Sequence, residues 1–180
     1  MKARELDLKG AFEITIFRHS DDRGVFFKPF QENVLKENGI YFEVKESISS
    51  SSRLHVLRGM HYQAPTHPQA KLVYCPHGAI LDIILDIRKD SPTFGKYAAV
   101  ELSEANGKSL YIPHGFAHGF MALTEGAITS YLMDAPYEAS ADKGILWDSF
   151  DMKWPFNPSR ISARDASFLP LSHVPASDMF

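Results

Sequence analysis

The chain has a single cysteine, Cys75, among 180 residues, so no intrachain disulfide is possible and a reducing compartment is expected. It has no long apolar run: the richest stretch, Ala79 to Ile87, is interrupted by Asp82 and Asp86 and is too short to cross a bilayer. No apolar leader is expected, because the opening MKARELDLKGAFEI carries charges where a signal peptide needs an uncharged segment. A cytoplasmic protein without a membrane partner is the expectation. There is no excess of positive charge either. Lys and Arg total 19 against 22 Asp and Glu, a net charge of −3, which excludes binding of nucleic acid by bulk charge. Any phosphate must be held by a local group of Arg and Lys. Internal repeats and low-complexity segments are missing, and the serine run Ser49–Ser52 reads as a loop.

Helical periodicity is also scarce. The apolar residues recur mostly with a period of two. Leu81, Ile83, Leu85 and Ile87 make one wholly apolar face, and Ile80, Asp82, Ile84, Asp86 and Arg88 make the other. Strand-like runs rich in Val, Ile, Phe and Tyr occur at Phe12–Phe17, Val25–Phe30, Tyr41–Ser47, His55–Gln63, Lys71–Cys75, Tyr97–Leu102, Ser109–Ile112, Gly119–Leu123 and Ala127–Met133. Turn signals such as Pro76-His77-Gly78 and Asn106-Gly107 separate them. One clear helix is predicted at Gln31–Asn38, ending on Gly39, and a second short one near Ser103–Ala105. The length suits one domain, residues 1–180, able to bury roughly 70% of its unfolded surface. Residues 150–180, interrupted by Trp154-Pro155 and Pro158, are expected to form an irregular tail packed on the body. Many short, evenly spaced strands imply an all-β fold, here an antiparallel jelly-roll barrel with a few short helices, whose interior suits a small-molecule site.

Alternation places His55, Leu57, Gly59, His61 and Gln63 on one face of a strand and Arg58 and Tyr62 on the other. Tyr131 shares a face with Ala127 and Thr129, and Lys71 begins a strand. A barrel that points His61, Lys71 and Tyr131 inward would gather a base, a cation and a phenol. Each taken alone reads as structural: a hydrogen-bonded wall histidine, a core tyrosine, a solvated lysine.

Two motifs raise the functional reading. Gly107-x5-Pro113-x-Gly115-x2-His118 resembles the second motif of the cupin superfamily, with Ala122 where an Asn is usual. Gly59-Met60-His61-Tyr62-Gln63, leading to Gly78, resembles the first, but Gln63 stands where a second His ligand is usual and Lys71 where Glu is usual. An ammonium has no lone pair for a divalent ion, so the expectation is no metal and a fixed positive charge in its place. A metal-dependent cupin using His61, His118 and one of His67, His77 or His114 is the competing enzyme class. A non-catalytic carbohydrate-binding cupin is a third reading, and a ketoisomerase a nearer one.

Longer strings carry a closer likeness. Arg58–Gln63, Ala70–Val73, Ile87–Lys96 with its Ser-Pro-Thr-Phe-Gly, Ile112–Phe120, Gly144–Trp147, Asp22–Phe26 and Ile161–Asp165 together resemble the dTDP-4-dehydrorhamnose 3,5-epimerase family, from about Phe12 to Asp165. The resemblance implies a metal-free jelly roll without cofactor, commonly a homodimer, acting on a 4-keto-6-deoxy nucleotide-diphosphate sugar. It implies His61 as base with Asp165 as its carboxylate partner, Lys71 as the cation for an enolate oxygen and Tyr131 as the acid on the far face. It further implies Arg23, Arg58, His118 and Arg164 on diphosphate or sugar, Phe26 and Asp142 near the nucleotide base, and Tyr137 on the sugar. Strict alternation separates Arg58 from His61, so a bulge at Gly59 is expected. Lys28, Glu46, Ile48 and Tyr74 depart from the family's usual residues on the nucleotide side. dTDP-4-keto-6-deoxyglucose is the expected substrate; a CDP- or GDP-linked sugar, or inversion of C3 alone, is the alternative. The segment Val25–Phe30 is expected to reach a partner's site, with Phe26 and Lys28 serving the neighbouring subunit.

Overall fold

The computed structural model describes all residues, 1–180. Thirteen strands follow in chain order: β1 (Lys2–Glu5), β2 (Phe12–Thr15), β3 (Phe17–Asp21), β4 (Gly24–Lys28), β5 (Glu46–Ser52), β6 (Leu57–Gln63), β7 (Lys71–His77), β8 (Ala79–Asp86), β9 (Tyr97–Ser103), β10 (Lys108–Ile112), β11 (Phe116–Ala122), β12 (Ala127–Met133) and β13 (Asp142–Gly144). Two short α-helices, α1 (Glu32–Glu37) and α2 (Ala163–Ala166), and two 3-10 turns complete the chain. One sheet has the order β1-β2-β10-β7-β12-β5, a second β13-β6-β11-β8-β9, and β3 and β4 form a separate hairpin. All paired strands are antiparallel. The arrangement is a jelly roll of two packed sheets; they do not close into the continuous barrel that the strand pattern suggested.

Three apolar clusters hold it. Between the sheets lie Val73, Cys75, Ile80, Ile84, Leu102, Leu110, Phe120 and Tyr131 among others. The outer face of the six-stranded sheet is covered by Leu35 of α1 with Ile40 and Phe42, packed on Ile14, Leu72 and Tyr111. The outer face of the five-stranded sheet carries Ile83, Leu85 and Ile87, and the tail lays Phe150, Met152, Trp154, Leu171, Val174 and Phe180 over it. The wholly apolar face of β8 is thus the outer one. Its mixed face, Ile80, Asp82 and Ile84, looks inward, and that choice brings a carboxylate into the interior.

Several expectations shift. The serine run is strand β5, paired residue for residue with β12, whereas residues 41–45, expected to begin a strand, have no regular structure. Ladder bonds are made by the backbone whatever the side chain, and β5, at the edge of its sheet, pairs on the open side of β12. Residues 103–105 form the end of β9 and a turn held by Asn106 Oδ1 and Ser103 Oγ, not a helix. Asp86 explains the Arg88-x-x-Ser91-x-Thr93 spacing. Its fully buried carboxylate accepts from Arg88 Nε (2.9 Å) and Nη2 (2.8 Å) and from the Ser91 and Thr93 hydroxyls (2.6 Å each).

Candidate active site

A cavity of about 400 Å³ opens between the two sheets. The inward positions of β5 supply Glu46, Ile48 and Ser50; β6 supplies Arg58, His61 and Gln63; β7 supplies Lys71. His118 and Phe120 come from β11, Tyr131 and Met133 from β12, and Tyr137, Asp142 and Arg164 form the mouth with Gln69.

Arg58 and His61 reach the same cavity because β6 carries one extra residue. His61 pairs with His118 and Arg58 with Phe120, so two residues, Gly59 and Met60, oppose the single Gly119. That bulge reverses the alternation between them. It also needs glycine on both strands. Gly59 has φ +133°, and a side chain there would meet the Gly119 backbone; a Cβ on Gly119 would lie 2.7 Å from Met60 Sδ and 2.8 Å from Arg58 O.

His61 Nε2 lies 2.8 Å from Asp165 Oδ1. A carboxylate only accepts, so Nε2 holds the proton and Nδ1 is left as the basic nitrogen. Asp165 is buried, and its other oxygen accepts from Gly59 N–H at 3.1 Å. Burial by itself would push this carboxyl up, but the bonds from His61 and Gly59 outweigh it and hold the group below its usual range. Asp165 sits in α2, whose first turn is capped by Ser162 Oγ accepting from Asp165 N–H at 3.0 Å. The Ser-x-x-Asp spacing was a legible capping signal for this helix, although here the acidic side chain turns to the histidine instead of back to the cap. Phe168 meets the His61 ring edge-on, with centroids 5.8 Å apart.

Behind this dyad lies a second one. His118 Nε2 is 2.7 Å from Asp82 Oδ1, and both residues are buried. Burial drives the His118 pKa down and the Asp82 pKa up, each opposed by the other's charge. The His118 ring packs edge-on against Tyr131 at 5.7 Å. Burial, reinforced by the Asp82 charge, holds the Tyr131 hydroxyl firmly protonated. Lys71 has no carboxylate within ion-pair distance. Burial lowers its pKa to about 8, partly offset by the charges of Asp142 and Asp82.

At the mouth, Arg58 donates to Ser52 Oγ (3.1 Å) and Ser51 O (3.2 Å), bracing it on β5. Asp142 Oδ2 accepts from Arg164 Nη2 at 2.7 Å and from the Tyr137 hydroxyl at 2.9 Å. Of the residues picked from the sequence, Glu46, Arg58, His61, Lys71, His118, Tyr131, Tyr137, Asp142 and Arg164 line this cavity, and Asp165 touches it through His61. Arg23, Phe26 and Lys28 do not. They lie on the β3–β4 hairpin outside both sheets, where Arg23 and Phe26 border a separate hollow and Arg23 pairs with Asp21 at 2.6 Å. Asp82 was passed over in the sequence, although an aspartate between Ile80 and Ile84 on the mixed face of β8 was its signal.

The donor set does not form a metal cage. No three His, Cys, Asp or Glu side chains converge on a common point. His61, His118 and His114 each direct Nε2 to a carboxylate, His114 to Asp134 at 2.9 Å, and His77 lies beside Glu104 at 3.4 Å.

Two antiparallel sheets around a cavity that holds an imidazole–carboxylate pair, a phenol and an unpaired ammonium define a cupin-type jelly roll equipped for acid–base chemistry. The sequence profile of the dTDP-4-dehydrorhamnose 3,5-epimerase family matches residues 5–173, and the chain belongs to that family. A protein of that name from Mycolicibacterium smegmatis (strain ATCC 700084 / mc(2)155) is 38% identical over 179 residues, covering 98% of this chain and 89% of its own. One from Shigella flexneri is 41% identical over 157 residues, 86% of each. Among solved structures, a dTDP-6-deoxy-D-glucose-3,5-epimerase from Legionella pneumophila Philadelphia 1, in complex with dTDP-4-keto-L-rhamnose, superposes with a TM-score of 0.93 at 31% identity, covering 99% of this chain and 96% of that one. A 3'-monoepimerase from Streptomyces bikiniensis in complex with dTDP-quinovose superposes with a TM-score of 0.86 at 29% identity, covering 93% and 86%.

Proposed function

We propose that this chain is an isomerase that inverts C3 and C5 of a dTDP-linked 4-keto-6-deoxy sugar. The observation that carries the reading is the ammonium of Lys71, unpaired by any carboxylate, in a cavity between the His61–Asp165 pair and the Tyr131 phenol.

The C4 ketone acidifies the protons on its neighbouring carbons. His61, through the nitrogen not bonded to Asp165, takes a proton from C3 or C5. The C–H electron pair moves into a carbon–carbon double bond, and the carbonyl pair moves onto O4. Lys71 faces that developing charge, in surroundings where a fixed cation acts strongly. Asp165 stabilises the imidazolium, in the manner of a catalytic dyad. The Tyr131 hydroxyl then delivers a proton to the opposite face of the same carbon, the carbonyl re-forms, and the centre is inverted. Exchange with solvent returns His61 to the neutral imidazole and Tyr131 to the phenol. No electrons are gained or lost, so the sequence of steps needs no redox cofactor. Arg58 and Arg164 at the mouth suit the diphosphate, since a guanidinium presents paired donors to phosphate oxygens.

A homodimer completes the reading. Phe17 and Phe26 stand about half exposed on a hairpin outside both sheets, which supports an arrangement in which Arg23, Phe26 and Lys28 serve a neighbouring copy's cavity. No helix is long and apolar enough to cross a membrane, and the cytoplasm is the proposed location.

The test is incorporation of solvent deuterium into dTDP-4-keto-6-deoxyglucose. Label at both C3 and C5 is expected. Label at C3 alone assigns a mono-epimerase, the activity of the Streptomyces neighbour. No label with dTDP-, CDP- or GDP-linked substrate rejects the proposal.

A further inference from the structure

Between β12 and β13 the chain passes the mouth of the cavity, bonded to neighbouring backbone at its two ends, Asp134 and Ala141. Ala135, Pro136 and Tyr137 make no hydrogen bond to any other backbone group. Side chains from elsewhere hold them instead. Gln69 Nε2 donates to Ala135 O at 2.7 Å, and Tyr137 N–H donates to Glu46 Oε2 at 2.7 Å. The remaining bonds come from one side chain, Gln63. Its Nε2 donates to Pro136 O at 3.4 Å and to His67 O at 3.0 Å, and its Oε1 accepts from Glu138 N–H at 2.6 Å.

That pattern uses both faces of the amide. Only a group with two donors and an acceptor, placed on a rigid strand, can join two carbonyls and an N–H at once. Gln63 is buried at the end of β6, two residues beyond His61. It therefore fixes the crossing segment to the strand that bears the base. The segment's product is the placement of Tyr137. Tyr137 stands 59% exposed at the mouth, and its hydroxyl donates to Asp142, which also receives Arg164. Arg164 directly precedes Asp165 in α2. Without the clamp, only the bonds from Gln69, Glu46 and Asp142 would hold this exposed aromatic, and on a segment lacking backbone bonds it would sample more positions.

We propose that Gln63 is a positioning residue: it sets Tyr137 at the cavity mouth and so governs capture of the nucleotide-sugar substrate, without taking part in proton transfer. This rests on the epimerase reading above. The polar atoms of the glutamine are all committed to backbone groups.

The test compares Gln63→Leu, which removes all three bonds, with Gln63→Glu, which keeps the acceptor for Glu138 but sets a carboxylate against two carbonyls. Both are expected to raise KM about tenfold or more while kcat changes less than about threefold, because a capture step and not the chemical step is lost. Combining Gln63→Leu with Tyr137→Phe should give less than the sum of the two effects, since both act through one ring. An unchanged KM in either folded variant, a loss confined to kcat, or additivity with Tyr137→Phe overturns the assignment. If the wild-type chain shows no deuterium incorporation, the functional reading fails separately. The clamp is then decided by amide hydrogen exchange at Tyr137 and Glu138: about tenfold faster exchange in Gln63→Leu supports it, and unchanged exchange overturns it.

Discussion

Asp165 owes its charge to its neighbours, and the same neighbours make its substitution informative. An asparagine there can still accept from Gly59 N–H, but it then turns an NH₂ toward His61 Nε2 and forces the proton onto Nδ1, the nitrogen assigned as base. Asp165→Asn is therefore expected to lower kcat by about two to four orders of magnitude, by analogy with tautomer loss in other dyads, with little change in KM; the deuterium wash-in rate measures it. Lys71 gives a pH signature. The free enzyme should lose kcat/KM as pH rises through about 8, where the ammonium deprotonates. For stability the sign is opposite. The folded lysine titrates near 8 and the unfolded one near its ordinary 10.5, so the unfolded chain binds more protons between these values. Its contribution raises stability with pH across that window, and Lys71→Met should flatten the rise in urea unfolding measured from pH 8 to 10.

Strands were legible where apolar and aromatic runs stand between turn signals, and β12 matches its expected limits, Ala127–Met133. The serines of β5 could not announce a strand, since an edge position asks only for backbone pairing and β12 supplies the partner from more than seventy residues away. α2 has four residues, too few for a period, and only its Ser162 cap marked it. His61, Lys71 and Tyr131 were readable because matched strings surround them. The Asp82–His118 bond was not, because it depends on which face of β8 turns inward. The Gly59 bulge was readable from a conflict: two residues wanted in one cavity lay on opposite faces. Its packing makes Gly59→Ala expensive. A positive φ and overlap with the Gly119 backbone should destabilise the fold by about 2–4 kcal/mol, read as a shift in the denaturant midpoint, and should separate Arg58 from His61.

At the scale of the whole molecule, the hairpin β3–β4 is the part a lone chain leaves unused. If it completes a neighbour's cavity, two dead variants can rescue each other. Arg23→Glu and His61→Asn should each be inactive alone. Random mixing of the two by co-expression should restore about a quarter of wild-type activity, because in a mixed pair one of two sites keeps both residues intact. No rescue, with dimers confirmed by mass in solution, would place the hairpin's role within its own chain.

The order of the chain adds a timing rule. Every strand ends by Gly144, yet the carboxylate that aligns His61 arrives with α2. During translation all thirteen strands therefore leave the ribosome ahead of Asp165, and the imidazole stays without its orienting acid until α2 emerges. On the roles proposed above, proton abstraction is thereby deferred until the tail has left the ribosome and docked on β6.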